Sequence, residues 1–182
     1  MRLRPDVLIF VLLLLGAGYA VWTQVDARAP APPIPPIGAT VPDVVLKDIG
    51  DHERRLSTLV EGKKALVVYF WSIDCPCVDA LEPRVKAVMA RFEPLGVEFV
   101  AVDSHPDDVL EGIKDKMGRL RAPYRMLLDA DQKGAWAIGG RRSTDFVVLD
   151  DRLRIRYRGS IDDDLRKPTT PHLAMALEAL LD

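Results

Sequence analysis

Residues 65–103 read ALVVYFWSIDCPCVDALEPRVKAVMARFEPLGVEFVAVD. Ala65 to Phe70 is a run of six apolar side chains without alternation, the pattern of a strand covered on both faces, and Val97 to Asp103 gives a second. Between them the period changes. Val78, Leu81, Val85, Val88, Met89 and Phe92 recur at three- and four-residue spacing, which predicts a helix from near Pro76 to about Glu93 with one buried stripe. Pro83 lies inside that helix, where it removes one backbone bond; the apolar period continues past it, so a kink is expected rather than an end. Strand, helix, strand is the parallel crossover unit, which brings the C-terminal ends of both strands to one edge. Residues 71–77 and Ser104-His105 therefore emerge together, at an edge where a crevice is expected.

Downstream, a polar stretch from Pro106 to Met117 is predicted helical, Tyr124 to Asp129 extended, and Lys133 to Ile138 a short helix. Phe146 to Leu149 and Leu153 to Tyr157 are joined by Asp150-Asp151-Arg152, a turn-rich connection that makes them a hairpin. The second strand of that hairpin alternates apolar and charged residues, as an edge strand would. Thr170 before Pro171 supplies an N-cap and a proline at the first helical position for a closing helix, with Leu173, Leu177, Leu180 and Leu181 as its buried stripe. The class is α/β, a central mixed sheet flanked by helices.

Upstream the composition shifts. Arg2 and Arg4 precede an unbroken apolar run from Val7 to Trp22, which reads as an export signal, either a signal peptide or an anchoring hydrophobic helix. Sixteen residues at about 1.5 Å each span roughly 24 Å, short of the roughly 30 Å hydrocarbon core. Ala27-Arg28-Ala29 offers a cleavage site, but Pro30 comes directly after it, and the preferred reading is an uncleaved membrane anchor over residues 7–22. Arginines on its N-terminal side put the chain beyond residue 23 outside the cytoplasm, in a periplasmic or extracytoplasmic position, with cleavage and secretion as the alternative. Five prolines between Pro30 and Pro36 favour extended polyproline II, a spacer. The expected organisation is a signal or anchor at 1–23, a proline-rich linker at 24–37 and one globular domain at 38–182.

The 182 residues carry 25 Lys and Arg against 27 Asp and Glu, a net charge of −2, and this balance excludes a basic surface for nucleic acid. Only two cysteines occur, Cys75 and Cys77, so neither a disulfide scaffold nor a four-cysteine zinc site can be built. Placing Pro76 at the first helical position makes Cys75 the N-cap and Cys77 the second residue of the helix, beside unsatisfied N–H groups and the positive end of the helix dipole. Such placement favours thiolate. A bridge between the two would span i to i+2, a tight and therefore oxidising, exchange-prone geometry.

The segments Gly38-Ala39-Thr40-Val41-Pro42-Asp43, Arg55 to Leu59 and Gly62 to Ser72, together with Val97 to Asp103 and Tyr157 to Asp163, resemble the redoxin branch of the thioredoxin fold. That branch includes peroxiredoxin-like (alkyl hydroperoxide reductase and thiol-specific antioxidant) proteins and membrane-tethered thiol-disulfide oxidoreductases. The resemblance covers residues 38–182 and implies a thioredoxin-like fold with Cys75 in the place of an attacking cysteine; together with the helix-start reading, Cys75 and Cys77 are the expected catalytic thiols, supported by Trp71, Ser72, Pro76 and Thr144. Against the thioredoxin Trp-Cys-x-x-Cys, Trp71 and Cys75 stand for the tryptophan and the second cysteine, with Ser72 in place of the first. The same four residues resemble the peroxiredoxin Thr-x-x-Cys, with Ser72 as the hydroxyl and Val68 where a proline is expected. Thr144 takes the place of the thioredoxin proline that faces the cysteines, and Arg142, beside Arg141, lies near the position of an activating peroxiredoxin arginine.

The implied partners are a protein disulfide or a peroxide as substrate and an external thiol reductant, with no cofactor. Cys75 attacks, and Cys77 either resolves the intermediate or stands by. Inert, buried thiols are the bland alternative. A reading of another class has Cys75, Cys77 and His105 binding Cu(I) as a metallochaperone-like module without turnover. The run Asp162 to Asp164 reads as a solvated loop.

Overall fold

The computed structural model describes residues 31–182. Its elements in chain order are β1 (Val45–Asp48), β2 (Glu53–Arg55), α1 (Leu56–Val60), β3 (Ala65–Trp71), α2 (Pro76–Phe92), β4 (Val97–Asp103), α3 (Leu110–Leu120), β5 (Arg125–Leu128), α4 (Lys133–Ile138), β6 (Phe146–Asp150), β7 (Ile155–Gly159) and α5 (His172–Leu181). The strands form a single seven-stranded sheet in the order β2-β1-β5-β4-β3-β6-β7. β3, β4 and β5 are parallel, and β6 pairs antiparallel with β3, so the sheet is mixed.

Every residue of β3 is buried, as expected of a central strand with helices on both faces. Its alternate residues divide the core. Ala65, Val67, Tyr69 and Trp71 pack with Val78, Leu81, Val85, Met89 and Phe92 of α2, Ile113 of α3, and Leu173 and Leu177 of α5. Leu66, Val68 and Phe70 face the other side, against Leu56 and Leu59 of α1 and Ile138 of α4. Tyr69 stacks on Phe146 at 4.5 Å between ring centroids and meets Tyr124 edge-on at 5.8 Å. The register pairs Trp71 with Asp103, so β3 and β4 end level and release their loops at one edge.

Three local readings differ from the sequence expectation. The helix expected from Pro106 begins only at Leu110, because the Asp108 carboxylate accepts the Ile73 N–H (2.7 Å) and holds residues 106–109 in a loop. Thr170 is not the cap of α5, which starts at His172; its N–H donates to Asp163 Oδ1 (2.9 Å) instead. The acidic run is accordingly employed rather than merely solvated, with Asp162 ion-paired to Arg84 and Asp163 taking the N–H groups of Thr169 and Thr170. The hairpin β1–β2 carries no strand signature in the sequence.

The anchor expected over Val7–Trp22 and the start of the expected linker lie outside the described residues. No helix among the described residues is long and apolar enough to cross a membrane. The end of the stretch read as spacer is attached to the domain: Arg158 Nη1 donates to Pro35 O (2.6 Å), and Gly38 N–H donates to Ile155 O (2.7 Å).

Candidate active site

The loop from Ser72 to Cys75 joins the buried end of β3 to the first turn of α2. Cys75 is the N-cap of α2, with extended backbone (φ −81°, ψ 111°), and Pro76 opens the helix, as the sequence predicts. Both cysteines are free and half-buried, and Cys75 packs against the core cluster that holds Trp71. The Cys77 thiol is pushed above its ordinary range, first by burial and then by its hydrogen bond to Cys75 and the charge of that neighbour. Cys77 is held toward its protonated form, while Cys75 occupies the N-cap beside the unsatisfied N–H groups of the first turn. A Cys-x-x-Cys spacing counted from the helix cap would put its second thiol at Val78, which is fully buried. Cys77 places that thiol one residue earlier, where it retains partial exposure.

Helix α3 forms the floor of the loop. Lys116 lies three residues after Ile113 on the inward face, and both are 2% exposed. Its Nζ donates to Ile73 O (2.6 Å) and Cys75 O (3.1 Å), approaches Ser72 O (3.4 Å), pairs with Asp79 Oδ2 (2.8 Å), and stands 5.3 Å from the Trp71 ring centroid. An ammonium this deep is tolerated because all three of its protons have acceptors. Gly112, one turn earlier, gives the Ile73 side chain room: a Cβ there would stand 2.8 Å from Ile73 Cδ1. Ile73 is thus held at its N–H by Asp108 and at its carbonyl by Lys116.

Behind the loop, Asp103 at the end of β4 is buried, and its Oδ1 accepts the His105 N–H (3.1 Å). Burial, then the hydrogen bond to Asp108 and the charge of that carboxylate, pushes its carboxyl up to about 8. Asp103 Oδ2 is buried with no hydrogen-bond partner, the environment in which the neutral carboxyl is favoured over the carboxylate. Glu82 in the second turn of α2 is also buried; it accepts from the Tyr124 hydroxyl (2.8 Å), and burial raises its carboxyl. Sequence reasoning missed Lys116, Asp103, Asp108 and Glu82. Glu82 is hidden within the apolar period of α2, and a lysine on an inward helix face has no signature distinct from a surface one.

Of the other expected site residues, Ser72 is buried in the loop, and its carbonyl faces Lys116. Thr144 has φ +75°, and its N–H donates to Phe70 O (2.7 Å), which sets the 143–144 turn against the end of β3. Trp71, His105, Gln132, Trp136, Arg141 and Arg142 border an open cleft of about 170 Å³ beside the site; neither cysteine lines it. Arg142 points into solvent, with Nε 3.5 Å from Asp145 Oδ1. His105 is exposed and faces Asp108 (3.3 Å). The structure does not gather His105 with the two thiols, since the described residues contain no group of three or more His, Cys, Asp or Glu able to hold a metal ion.

A mixed sheet of this order, with a thiol pair at the mouth of the helix that leaves its central strand, defines a protein of the thioredoxin-like fold. The chain matches the Redoxin family over residues 36–176 and belongs to it. It is 30% identical over 149 residues to the thiol-disulfide oxidoreductase ResA of Geobacillus thermodenitrificans, an alignment covering 81% of each chain. With ResA of Geobacillus kaustophilus it shares 29% identity over 118 residues, 64% of this chain and 65% of that relative, so this match spans just under two thirds of the relative's length. Among solved structures, a hypothetical protein of Sinorhizobium meliloti 1021 superposes with a TM-score of 0.72 at 28% identity, covering 81% of this chain and 85% of the other.

Proposed function

We propose that this chain is a thiol-disulfide oxidoreductase that works outside the cytoplasm, held at a membrane by residues 7–22. The observation that carries the reaction is the pair of free, half-buried thiols at the start of α2, with Cys75 at the cap and Cys77 two residues on. The relatives named thiol-disulfide oxidoreductase support the same chemistry. The Cys75 thiolate attacks one sulfur of a protein disulfide; a sulfur–sulfur bond forms to Cys75, the substrate bond breaks, and one substrate thiolate leaves and takes up a proton. Cys77 then loses its proton and attacks the Cys75 sulfur, releasing the second substrate thiol and closing a Cys75–Cys77 bridge. An external dithiol reduces that bridge and is itself oxidised. Trp71 and Pro76 shape the rim and the helix start, and Thr144 sets the facing turn. The expected export signal and the two basic residues ahead of it support the location.

Trapping tests the roles. With a disulfide-bonded protein substrate, Cys77→Ser is expected to accumulate a mixed disulfide through Cys75, and Cys75→Ser none. A mixed disulfide forming on Cys77 of the Cys75→Ser variant at the wild-type rate would reverse the assignment. Location is tested by fractionation: the full chain should sediment with membranes and a chain lacking residues 7–22 should not.

A further inference from the structure

Lys116 has no counterpart in the reading of the thiols themselves, yet its ammonium is the only cation with bonds to the backbone on both sides of Asp74 among the described contacts of this loop. A lysine whose purpose was to pair with Asp79 could do so from the surface, since the Asp79 side chain is 41% exposed. Instead the side chain occupies a core position, 2% exposed, and directs its donors to Ile73 O and Cys75 O as well as to the carboxylate. We propose that Lys116 is a positioning residue for the Cys75 thiolate: its ammonium gathers the loop carbonyls under the helix mouth and fixes a positive charge one peptide unit from the reacting cysteine. This rests on the thiol-exchange reading and deepens it.

The geometry has two effects. The carbonyls of Ile73 and Cys75 are turned inward onto one ammonium, while Asp108 draws in the Ile73 N–H, so the loop has one conformation in which to present the thiol. The ammonium also adds to the field of the α2 N-terminus, where an anion is favoured. The other titratable groups facing it are Asp79 of α2, Asp103 of β4, whose carboxyl is pushed up to about 8, and Arg119 of α3, whose Nη1 lies 3.8 Å from Asp79 Oδ1.

The test is the pH dependence of iodoacetamide alkylation at Cys75 in the full-length chain, with Cys77→Ser as the common background. Lys116→Gln keeps a hydrogen-bond donor without the charge. It is expected to move the midpoint up by about one unit, slowing alkylation near pH 7 by about tenfold and restoring the wild-type rate at alkaline pH. Lys116→Arg, which keeps the charge, should stay closer to the parent. An unmoved midpoint in Lys116→Gln, with only a lower melting temperature, would overturn the proposal. Should that variant fail to fold, Asp79→Asn decides: the ammonium keeps its site without its counter-charge, so the midpoint should fall, and an unchanged midpoint overturns the proposal. The exchange reading itself fails separately, if Cys77→Ser with Lys116 intact captures no disulfide substrate whatever its alkylation midpoint.

Discussion

Asp103 shows what burial does to one carboxyl. In the folded chain its pKa is pushed up to about 8 by burial and by Asp108, against an ordinary value of 3.8 in the unfolded chain. Between these values the folded state binds a proton that the unfolded state has released. The stability contributed by that proton is fully present below about pH 4 and is lost as pH rises through about 8. Asp103→Asn keeps an acceptor for the His105 N–H and offers Asp108 a permanent donor. Its melting temperature is therefore expected to fall less than that of the wild type between about pH 5 and about pH 8.5; equal slopes for the two proteins would mean that Asp103 is already ionised at neutral pH. The thiols obey the same logic at the site. Cys75→Ser should remove measurable disulfide exchange, whereas Cys77→Ser should leave the first attack and stop turnover, which single-turnover and steady-state assays separate.

At the scale of elements, close packing sets the tolerances. A Cβ on Gly140 would stand 2.4–2.6 Å from the ring atoms of Phe70, a side chain only 3% exposed and held between the sheet and α4. Gly140→Ala is expected to cost about 1–3 kcal/mol by overpacking. The same change at Gly118, where nothing lies within 4 Å, should be neutral or slightly stabilising because alanine favours the helix; urea titration of the two variants checks the contrast. On the other face, Leu177 of α5 is fully buried against the β3 cluster, and Leu177→Ala should cost about 2–5 kcal/mol by transfer and cavity formation, read as a lower denaturation midpoint at unchanged slope. The elements that carry these contacts are also the ones readable from sequence. β3, α2 and β4 announce themselves because each buries a long apolar run or stripe. β1 and β2 do not, since Val45–Asp48 and Glu53–Arg55 are short, largely exposed and charged, and owe their pairing to β5 and to each other. The starts of α3 and α5 differ from expectation for a similar reason. Asp108 and Asp163 turn their oxygens to distant backbone groups, and a sequence does not show which donor a carboxylate will meet.

For the whole molecule, topology turns a local motif into a site. The level ends of β3 and β4 bring the loop of Cys75 beside that of His105, and the turn before β6 closes the adjoining cleft with Ser143, in keeping with the crossover rule. That rule could not supply the floor. Lys116, Asp108 and Asp103 come from a helix, a loop and a strand end separated in sequence, and only packing makes them neighbours of the thiols. Central to the proposed chemistry is the claim that Cys75 and Cys77 act as one redox couple. Its most direct test is the intact mass of the full-length chain, first reduced and then given one equivalent of an oxidised disulfide. A redox couple predicts the loss of two hydrogens, with Cys75 and Cys77 joined in one peptide, and no such loss when either is serine. Separate adducts on the two thiols, or oxygen added at Cys75 alone under peroxide with no bridge under either oxidant, would contradict it.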